Sequence, residues 1–271
     1  RRRVEKGCDV VVDGETATTE EIANAIRDLN VDVLVDMCGH AGSSDVVEII
    51  ARRPARVQVA GGLGTPAPMG GTGIYDYALA DAVVAPARLR AAAGWAPDEH
   101  RAVLVPHTYQ VGDAEAYKRH ELNYKESREP TSRKDHGLRD DAVVLACMNR
   151  PHKVDCTSFD AWVRIVKELA HGAPAVDAQL WLYAPGDEAG ASLRTRALAR
   201  ASKILPGGEE EARDRLVFAG REDRPAHLER LRHADLALDT RAYNSHTLAA
   251  DYAWAGVPLC TALCDAEPRW V

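Results

Sequence analysis

The chain has 271 residues, of which 46% are hydrophobic, and it carries a formal net charge of −7 with a pI near 5.8. This acidic balance argues against a nucleic-acid or anionic-membrane partner, because both bind a net basic surface. No apolar run approaches the roughly 20 residues that span a bilayer, and the N-terminal arginines precede polar residues rather than the apolar stretch of a signal peptide. The sequence therefore predicts an ordinary globular protein of the cytoplasm or the nucleus.

The cysteines exclude a common class of metal site. Six of them, at positions 8, 38, 147, 156, 260 and 264, form no Cys-x-x-Cys pair. Several lie in apolar, strand-like runs, where a small buried thiol is the usual explanation. A zinc site would need Cys or His clustered at short spacing, which the sequence lacks. We therefore predict reduced core cysteines and no metal site.

The first part of the chain alternates helical and strand-like patterns. Residues 19–29 begin with Thr19 and two glutamates and then place apolar residues on one face, which predicts a helix capped by Thr19. The Gly- and Pro-rich stretch 61–71 predicts a loop. Further predicted elements are strands at 31–37, 76–80 and 102–105 and a helix at 44–53. This rhythm is typical of an α/β sheet.

The second part alternates more regularly, after a polar stretch at 117–141 that is typical of a connection between domains. The predicted strands are 142–147, 179–183, 215–219, 235–239 and 257–260, and the predicted helices are 158–170, 191–204, 225–232 and 247–254. Successive strand–helix units with short connections imply a parallel, doubly wound sheet.

Polar residues follow several of these predicted strands, at the edge where open parallel sheets bind ligands. Lys153 comes just after a strand and suits a phosphate or a departing diphosphate, although a lone lysine is more often a solvated surface residue. Segment 239–247 precedes a helix, where backbone amides suit a diphosphate, although it also fits a plain helix cap. The other candidates are Asn149, His227, His107 and Thr108, at or near strand ends, and Asp251, one turn into the last helix. Lone histidines of this kind are more often structural, and helical carboxylates are more often only solvated.

Several common motifs are missing from the sequence. It contains no P-loop, no G-x-S-x-G elbow and no G-x-G-x-x-G, which argues against NTP hydrolysis and hydride transfer. No Asp-x-Asp separates a strand from a loop, so a mechanism without a metal or other cofactor is favoured.

These segments together resemble the catalytic region of the protein O-GlcNAc transferase family, which includes the related protein O-fucosyltransferases of the SPINDLY type. The similar segments, in the family's order, are residues 32–40, 53–58, 63–66, 76–77, 105–109, 149–153, 234–240, 244–247 and 254–258. The family implies an α/β fold of the GT-B type, with two Rossmann-like domains facing across a cleft. By this resemblance residues 1–116 are the C-terminal part of the first domain, 117–141 the connection and 142–271 the nucleotide-sugar domain.

The resemblance also implies roles for single residues. Lys153 would contact the UDP diphosphate and stabilise its departure, and His246 and Thr247 would hold the phosphates. Asp251 would bind the ribose, and His227 would lie beside the uracil. His107 and Thr108 match a motif near the sugar and the phosphates, with His107 a candidate catalytic residue, and Asn149 and Arg224 would complete the donor site.

The implied reaction is inverting transfer of N-acetylglucosamine from UDP-GlcNAc to Ser or Thr hydroxyls of proteins, without a metal. The family's tetratricopeptide repeats, which are expected to select acceptors, do not occur in this sequence.

Three departures leave the donor open. Arg224 stands where the family has a lysine, Leu248 replaces a threonine, and Arg150 replaces a glutamine. Arginine keeps the charge but not the point geometry of lysine, and leucine cannot donate to a phosphate. The alternatives are a protein O-fucosyltransferase using GDP-fucose, whose branch Gly39-His40 resembles, and a non-catalytic remnant of the family.

Overall fold

The computed structural model describes residues 2–38, 44–61, 73–83, 85, 101–109 and 112–262. The chain divides into two compact units, Arg1–Val111 and Gly112–Arg269. The matched segments around 39–40 and 63–66 and the cysteine at 264 lie outside the described residues.

The first unit is built on a four-stranded parallel sheet in the order β1-β2-β3-β4. Its strands are β1 (Val33–Asp36), β2 (Val57–Ala60), β3 (Tyr77–Ala80) and β4 (Arg101–Leu104), and its described helices are α1 (Arg2–Gly7), α2 (Thr19–Asp28) and α3 (Ser44–Ala51). The register places Val33 opposite Val57 and Tyr77 opposite Arg101. The three strands and two helices expected for this part of the chain are therefore present.

The start of α2 differs by one residue from the predicted start. Thr18, rather than Thr19, is the capping residue, because its hydroxyl accepts from the backbone N–H of Glu21 while the Glu21 carboxylate accepts from the backbone N–H of Thr18. This reciprocal capping box satisfies two backbone donors that a helix start would otherwise leave open. Thr19 instead donates its hydroxyl proton to Glu48 on α3.

The second unit is built on a five-stranded parallel sheet in the order β7-β6-β5-β8-β9. Its strands are β5 (Val143–Cys147), β6 (Ala178–Tyr183), β7 (Leu216–Ala219), β8 (Leu236–Leu238) and β9 (Leu259–Cys260). Its α-helices are α4 (Ala114–Ser127), α5 (Cys156–His171), α6 (Glu188–Ala201), α7 (Gly208–Arg215), α8 (Arg224–Arg230) and α9 (Thr247–Ala255). Short 3-10 helices span Arg133–His136, Pro151–Lys153 and Leu231–His233.

Both faces of this second sheet are buried. Leu180 and Leu182 on β6 point into one hydrophobic core, and Trp181 between them points into the other. Side chains on β5 alternate in the same way, with Leu145 in the first core and Val144 in the second. Helices on both faces explain why these strands are continuous apolar runs rather than alternating ones.

The polar stretch 117–141 is more ordered than its composition indicates. It contains most of α4 and a 3-10 helix, and both belong to the second compact unit, which begins at Gly112. Tyr124 is the buried residue of α4, and the remaining faces of the helix are largely hydrated. A helix that buries so little surface needs few apolar residues, so its composition resembles that of a connection between domains. Helix α7 consists mostly of charged residues and was not predicted from the sequence for the same reason.

The cysteine prediction needs correction. Of the five described cysteines, Cys147 is buried, whereas Cys8, Cys38, Cys156 and Cys260 are exposed free thiols. Burial raises the pKa of Cys147 to about 12. The exposed thiols lie at element ends or in loops, where an apolar sequence neighbourhood does not imply burial. None of the described helices is both long enough and apolar enough to cross a bilayer.

Candidate active site

The strand order of the second unit creates a switch point between β5 and β8. Strands β6 and β7 extend the sheet on one side of β5, and β9 extends it beyond β8. The connections leaving the carboxyl ends of β5 and β8 therefore diverge, which opens the crevice where doubly wound sheets bind ligands. Asn149 follows β5 and Asp239 follows β8, so both residues lie at this point.

Asp239 organises the loop between β8 and α9. Its Oδ1 accepts from the backbone N–H groups of Thr240 and Ser245 and from the Ser245 hydroxyl, at 2.7–2.9 Å. Its Oδ2 accepts from Asn244 Nδ2 at 3.0 Å and from the Thr261 hydroxyl at 2.9 Å. Burial acts to raise the pKa of Asp239, but these hydrogen bonds outweigh it and hold the pKa below its ordinary value.

Asn149 joins the ends of the two strands. Its Nδ2 lies 3.3 Å from Asp239 Oδ1, 3.0 Å from the Thr240 hydroxyl and 2.8 Å from the Ser245 hydroxyl. The side chain is buried, and its amide nitrogen donates to groups of the loop. Asn149 therefore shapes the start of the site, and its predicted contact with a donor stays a prediction.

Lys153 lies at the end of the 3-10 helix that follows β5. Its ammonium donates to the backbone carbonyl of Asn244 at 3.1 Å and sits 3.9 Å from the centroid of the Tyr243 ring. Burial lowers the pKa of Lys153, while the charge of Asp239 opposes this effect. An ammonium has three protons, so this one described hydrogen bond leaves donors for an anionic ligand.

His246 and Thr247 stand at the start of α9. His246 is the residue before the helix, and its ring stacks on Tyr243 with the centroids 5.3 Å apart. Burial, and next the charge of Lys153, lower the pKa of His246. Thr247 is the exposed first residue of the helix. The structure thus brings Lys153, His246 and the start of α9 around one loop, as the sequence predicted.

A cavity of about 440 Å³ opens at the same edge of the sheet. Its lining comes from the segments after β5, β6 and β7 and from α8. The lining residues are Met148, Arg150, Pro151, His152, Tyr183, Pro185, Gly186, Asp187, Ala189, Arg221, Glu222, His227 and Arg230. A space of this size is typical of small-molecule sites.

Arg230 fixes the protonation of His227 in this cavity. The buried guanidinium donates from Nη2 to His227 Nδ1 at 3.0 Å and from Nη1 to the backbone carbonyl of Gly220 at 2.8 Å. Arginine has no acceptor, so Nδ1 of His227 must accept and its proton must sit on Nε2. Burial, with the Arg230 charge adding to it, lowers the pKa of His227 to about 4. The imidazole is therefore neutral near pH 7 and presents an N–H donor.

Asp251 is engaged within the protein. Its carboxylate receives a two-pronged hydrogen bond from Arg224 and a further one, at 2.6 Å, from the Tyr117 hydroxyl. Burial of Tyr117, together with this hydrogen bond, raises the tyrosine pKa to about 12. The Arg224 guanidinium also lies over the Tyr117 ring, whose other neighbour is Trp254. The predicted ribose contact of Asp251 stays a prediction, made at a carboxylate that Arg224 orients.

His107 and Thr108 belong to the first unit. They follow β4, and both side chains are exposed. His107 has a φ of 69°, in the left-handed region that residues other than glycine rarely adopt. The next residue, Tyr109, is buried and donates its backbone N–H to Asp81 at 2.9 Å. The turn is thus tied to the core, and the predicted roles of His107 and Thr108 stay predictions.

Comparison with known proteins identifies the family. The model of glycosyl transferase family 41 matches residues 1–129 and 123–267. The chain belongs to this family. A probable UDP-N-acetylglucosamine–peptide N-acetylglucosaminyltransferase of Arabidopsis thaliana, SEC, is 30% identical over 261 residues, which cover 96% of this chain and 24% of that protein. A UDP-N-acetylglucosamine–peptide N-acetylglucosaminyltransferase of Caenorhabditis elegans is 29% identical over 131 residues, covering 48% of this chain and 10% of that protein.

Solved structures agree on the fold. A mutant O-GlcNAc transferase of Thermobaculum terrenum superimposes with a TM-score of 0.71 at 23% identity, covering 99% of this chain and 45% of that chain. HepE of Anabaena, in complex with UDP and glucose, gives a TM-score of 0.55 at 13% identity, covering 92% of this chain and 63% of that chain.

The predicted family, one of glycosyl transferases, and the α/β fold of the GT-B type are therefore confirmed. The chain spans about a quarter of the length of its curated relative from Arabidopsis.

Three groups at the site of this family 41 chain were not predicted from the sequence. Asp239 stood inside the segment that we singled out, but its role as a buried acceptor for the whole loop depends on donors up to 90 residues away. Arg230 looked like one more helical arginine. Tyr117 fell in the stretch interpreted as a connection. The i, i+3 spacing of His227 and Arg230 was a usable signal, since it places both side chains on one side of a helix.

Proposed function

We propose that this family 41 chain is donor-binding catalytic sequence of an enzyme that transfers N-acetylglucosamine from UDP-GlcNAc to Ser or Thr hydroxyls of proteins. The observation that carries the proposal is the meeting of Lys153, His246 and the start of α9 around one loop, next to a cavity lined by His227 and Arg230. Both curated relatives are named as UDP-N-acetylglucosamine–peptide N-acetylglucosaminyltransferases.

The diphosphate of the donor is proposed to bind at the loop between β8 and α9. Transfer with inversion breaks the bond between the sugar and the diphosphate while the acceptor oxygen attacks from the opposite face. Negative charge then grows on the departing UDP, and the Lys153 ammonium and the positive end of the α9 dipole stabilise it. His246, held neutral by burial, contributes a hydrogen bond rather than a second charge.

The uracil and the ribose of UDP are proposed to bind in the neighbouring cavity. His227 presents an N–H from Nε2, which lies 3.8 Å from Asp251, and the Arg230 guanidinium supplies a fixed cationic wall. In the proposed complex Asp251 accepts from a ribose hydroxyl while Arg224 and Tyr117 hold the carboxylate in place.

A metal is not required by this arrangement, because Lys153 and the helix N-terminus already provide the positive charge that a divalent ion supplies elsewhere. The proposed partners are a UDP-sugar and protein acceptors, with tetratricopeptide repeats of the whole protein selecting the acceptors. The proposed setting is the cytoplasm or the nucleus.

Two other functions differ from this one in measurable ways. Arg224 replaces the family lysine and donates to Asp251, which leaves the identity of the donor open. Transfer of fucose from GDP-fucose is therefore the first alternative. A non-catalytic remnant is favoured by Leu248, which packs partly buried against the second core instead of offering a hydroxyl.

The test is calorimetric titration of the purified chain with UDP and with GDP, each with and without EDTA. The double variant Lys153→Ala/His246→Ala is measured beside the wild type, and circular dichroism establishes that both are folded. We expect UDP binding that EDTA leaves unchanged and that the variant loses.

The other outcomes separate the alternatives. Preference for GDP favours the fucosyltransferase. Binding of neither nucleotide by the folded chain contradicts the proposed donor site and favours the remnant. Loss of UDP binding on adding EDTA contradicts metal independence alone.

A further inference from the structure

Two histidines and a glutamate meet in the second unit, and none of them lines the cavity of the candidate donor site. They are His136, Glu229 and His233, and their ligand atoms all lie within 4.8 Å of one another. His136 ends the 3-10 helix before β5, Glu229 lies on α8, and His233 ends the 3-10 helix that follows α8.

All three side chains point at one atom, the hydroxyl oxygen of Thr131. Glu229 Oε2 lies 2.5 Å from it, His233 Nε2 lies 2.9 Å from it, and His136 Nε2 lies 3.0 Å from it. Two imidazole Nε2 atoms and a carboxylate oxygen are thus directed at a common point. A zinc ion is bound at about 2.0–2.2 Å from its nitrogen and oxygen ligands. Each of the three ligand atoms would have to move less than about 1 Å towards the common point to reach that distance.

The cluster is held by packing rather than left on a mobile surface. The three side chains are partly buried, and the His136 ring lies 5.2 Å from the His233 ring and 5.5 Å from the fully buried Trp181 ring. The i, i+4 spacing of Glu229 and His233 stacks them on one side of their helical segment. His136 is brought to them by the 3-10 helix Arg133–His136, which Ser132 precedes as its N-cap.

The chemistry of the donor set matches zinc. Two imidazole nitrogens and one carboxylate oxygen, with a fourth position for water, form a recurrent zinc set. Burial lowers the pKa of both His136 and His233, which keeps the rings in the neutral form that binds metals.

We propose that His136, Glu229 and His233 bind a divalent ion of the zinc class, with the Thr131 hydroxyl turned aside. The ion joins the segment before β5 to α8, the helix that carries Arg224 and His227 on other faces. It fastens that helix and takes no part in the transfer reaction. The competing explanation is a hydrogen-bonded cluster centred on Thr131, in which the hydroxyl donates to Glu229 and accepts from both rings.

The experiment measures metal retention and ligand type in the full chain. Protein is loaded with Zn²⁺ or Co²⁺, dialysed, and assayed for bound metal, and the Co²⁺ form is examined by absorption spectroscopy. The test variants are His136→Gln and His233→Gln, since glutamine keeps a polar group for Thr131 but is a poor zinc ligand. The control is His171→Gln, because His171 also contacts a glutamate, Glu211, at 2.7 Å, and no third metal-ligating side chain among the described residues joins this pair.

We expect about one equivalent of metal in the wild type and in the control, with a tetrahedral Co²⁺ spectrum that lacks the near-ultraviolet band of thiolate ligands. Each test variant is expected to bind at least about 10- to 100-fold more weakly. Circular dichroism of the metal-free proteins identifies any variant that does not fold, and the other variant then decides.

Three outcomes overturn the proposal: no metal retained by the wild type, retention that both folded variants share, or a spectrum dominated by thiolate ligands. None of these bears on the proposed transferase, which the UDP and GDP titrations without EDTA test separately.

Discussion

Lys153 is the residue on which the proposed chemistry depends most. Its ammonium is partly desolvated and held by the Asn244 carbonyl and the Tyr243 ring, which aims it at the loop that receives the diphosphate. Removing one such preorganised donor typically costs about 10²–10³ in kcat. We therefore expect Lys153→Met to lower turnover of UDP-GlcNAc by about that factor, as measured in a radiolabelled transfer assay.

A matched control separates this effect from a general loss of charge. Lys203→Met removes an exposed lysine just after α6 and is expected to leave turnover within about twofold of wild type. Equal activity of the two variants would contradict the role given to Lys153.

His227 makes stability depend on pH in a defined direction. Burial lowers its pKa from 6.5 to about 4. Between those values the unfolded chain binds a proton that the folded chain does not, so the free energy of unfolding falls as the pH drops below 6.5. We expect urea unfolding at pH 7 and pH 5 to show a loss on the order of 1–2 kcal/mol from this group.

The variant His227→Asn tests the assignment, because asparagine offers Arg230 an acceptor but does not titrate in this range. Its stability should change less between the two pH values than that of the wild type. The control His152→Asn, at an exposed position, should behave like the wild type. Identical pH dependence in all three proteins would show that His227 is not responsible.

At the level of elements, the loop between β8 and α9 depends on one carboxylate. The oxygens of Asp239 accept from donors on the loop, from Asn149 after β5 and from Thr261 after β9. In Asp239→Asn an amide NH₂ faces those donors, so at least one of them loses its acceptor in a buried site. We expect a loss of about 2–4 kcal/mol in urea unfolding.

The control for this prediction is Asp141→Asn, which changes an exposed carboxylate before β5 and should alter stability by less than about 0.5 kcal/mol. If Asp239→Asn is as stable as this control, the loop does not depend on the charge of Asp239.

Helix α9 ends at a residue that only glycine suits well. Gly256 has a φ of 77° and donates its N–H to the last turn of the helix. A Cβ at this position would meet no atom within 4 Å, so the cost of Gly256→Ala is conformational rather than steric. We expect a loss of about 1 kcal/mol in thermal or urea unfolding.

Gly220→Ala is the comparison for this change. Gly220 also has open space around its Cβ position but no positive φ, so alanine there should be neutral or slightly stabilising. A Gly256→Ala variant that matches it would indicate that the left-handed cap contributes little to the end of α9.

For the whole molecule, the placement of the donor site in the second unit can be tested without turnover. Bound UDP should slow amide hydrogen exchange at residues 149–153 and 239–251, where its diphosphate and ribose are proposed to lie. Helix α2 in the first unit should exchange at the same rate with and without UDP. Protection confined to the first unit would contradict this placement.

The fold was largely predictable because the pattern of apolar residues along the sequence indicates most of its strands and helices. Strand patterns at 142–147 and 179–183 are continuous apolar runs, and β5 and β6 occupy nearly those residues because helices bury both faces of their sheet. Elements with little buried surface were harder to predict. The α4 and α7 helices expose most of their side chains, so their composition resembles that of a loop or a connection.

The candidate site was predictable only in part. Strand ends share one edge of a parallel sheet, so Lys153, His246 and Asn149 could be placed together from the strand pattern alone. Their hydrogen bonds could not, because a pattern of apolar residues does not state where a side chain points. In the structure Asn149 donates a hydrogen bond to the loop, and Asp251 accepts hydrogen bonds from Arg224 and Tyr117.

The sequence by itself determined the family, the parallel α/β organisation and the edge at which the candidate residues gather, since these follow from local periodicity and from segments in a fixed order. Tertiary structure decided which polar groups meet. His136 and His233 are 97 positions apart, and no spacing rule connects them. They face one point because folding packs the turn before β5 against the end of α8, and only that packing gives two distant rings a common neighbour.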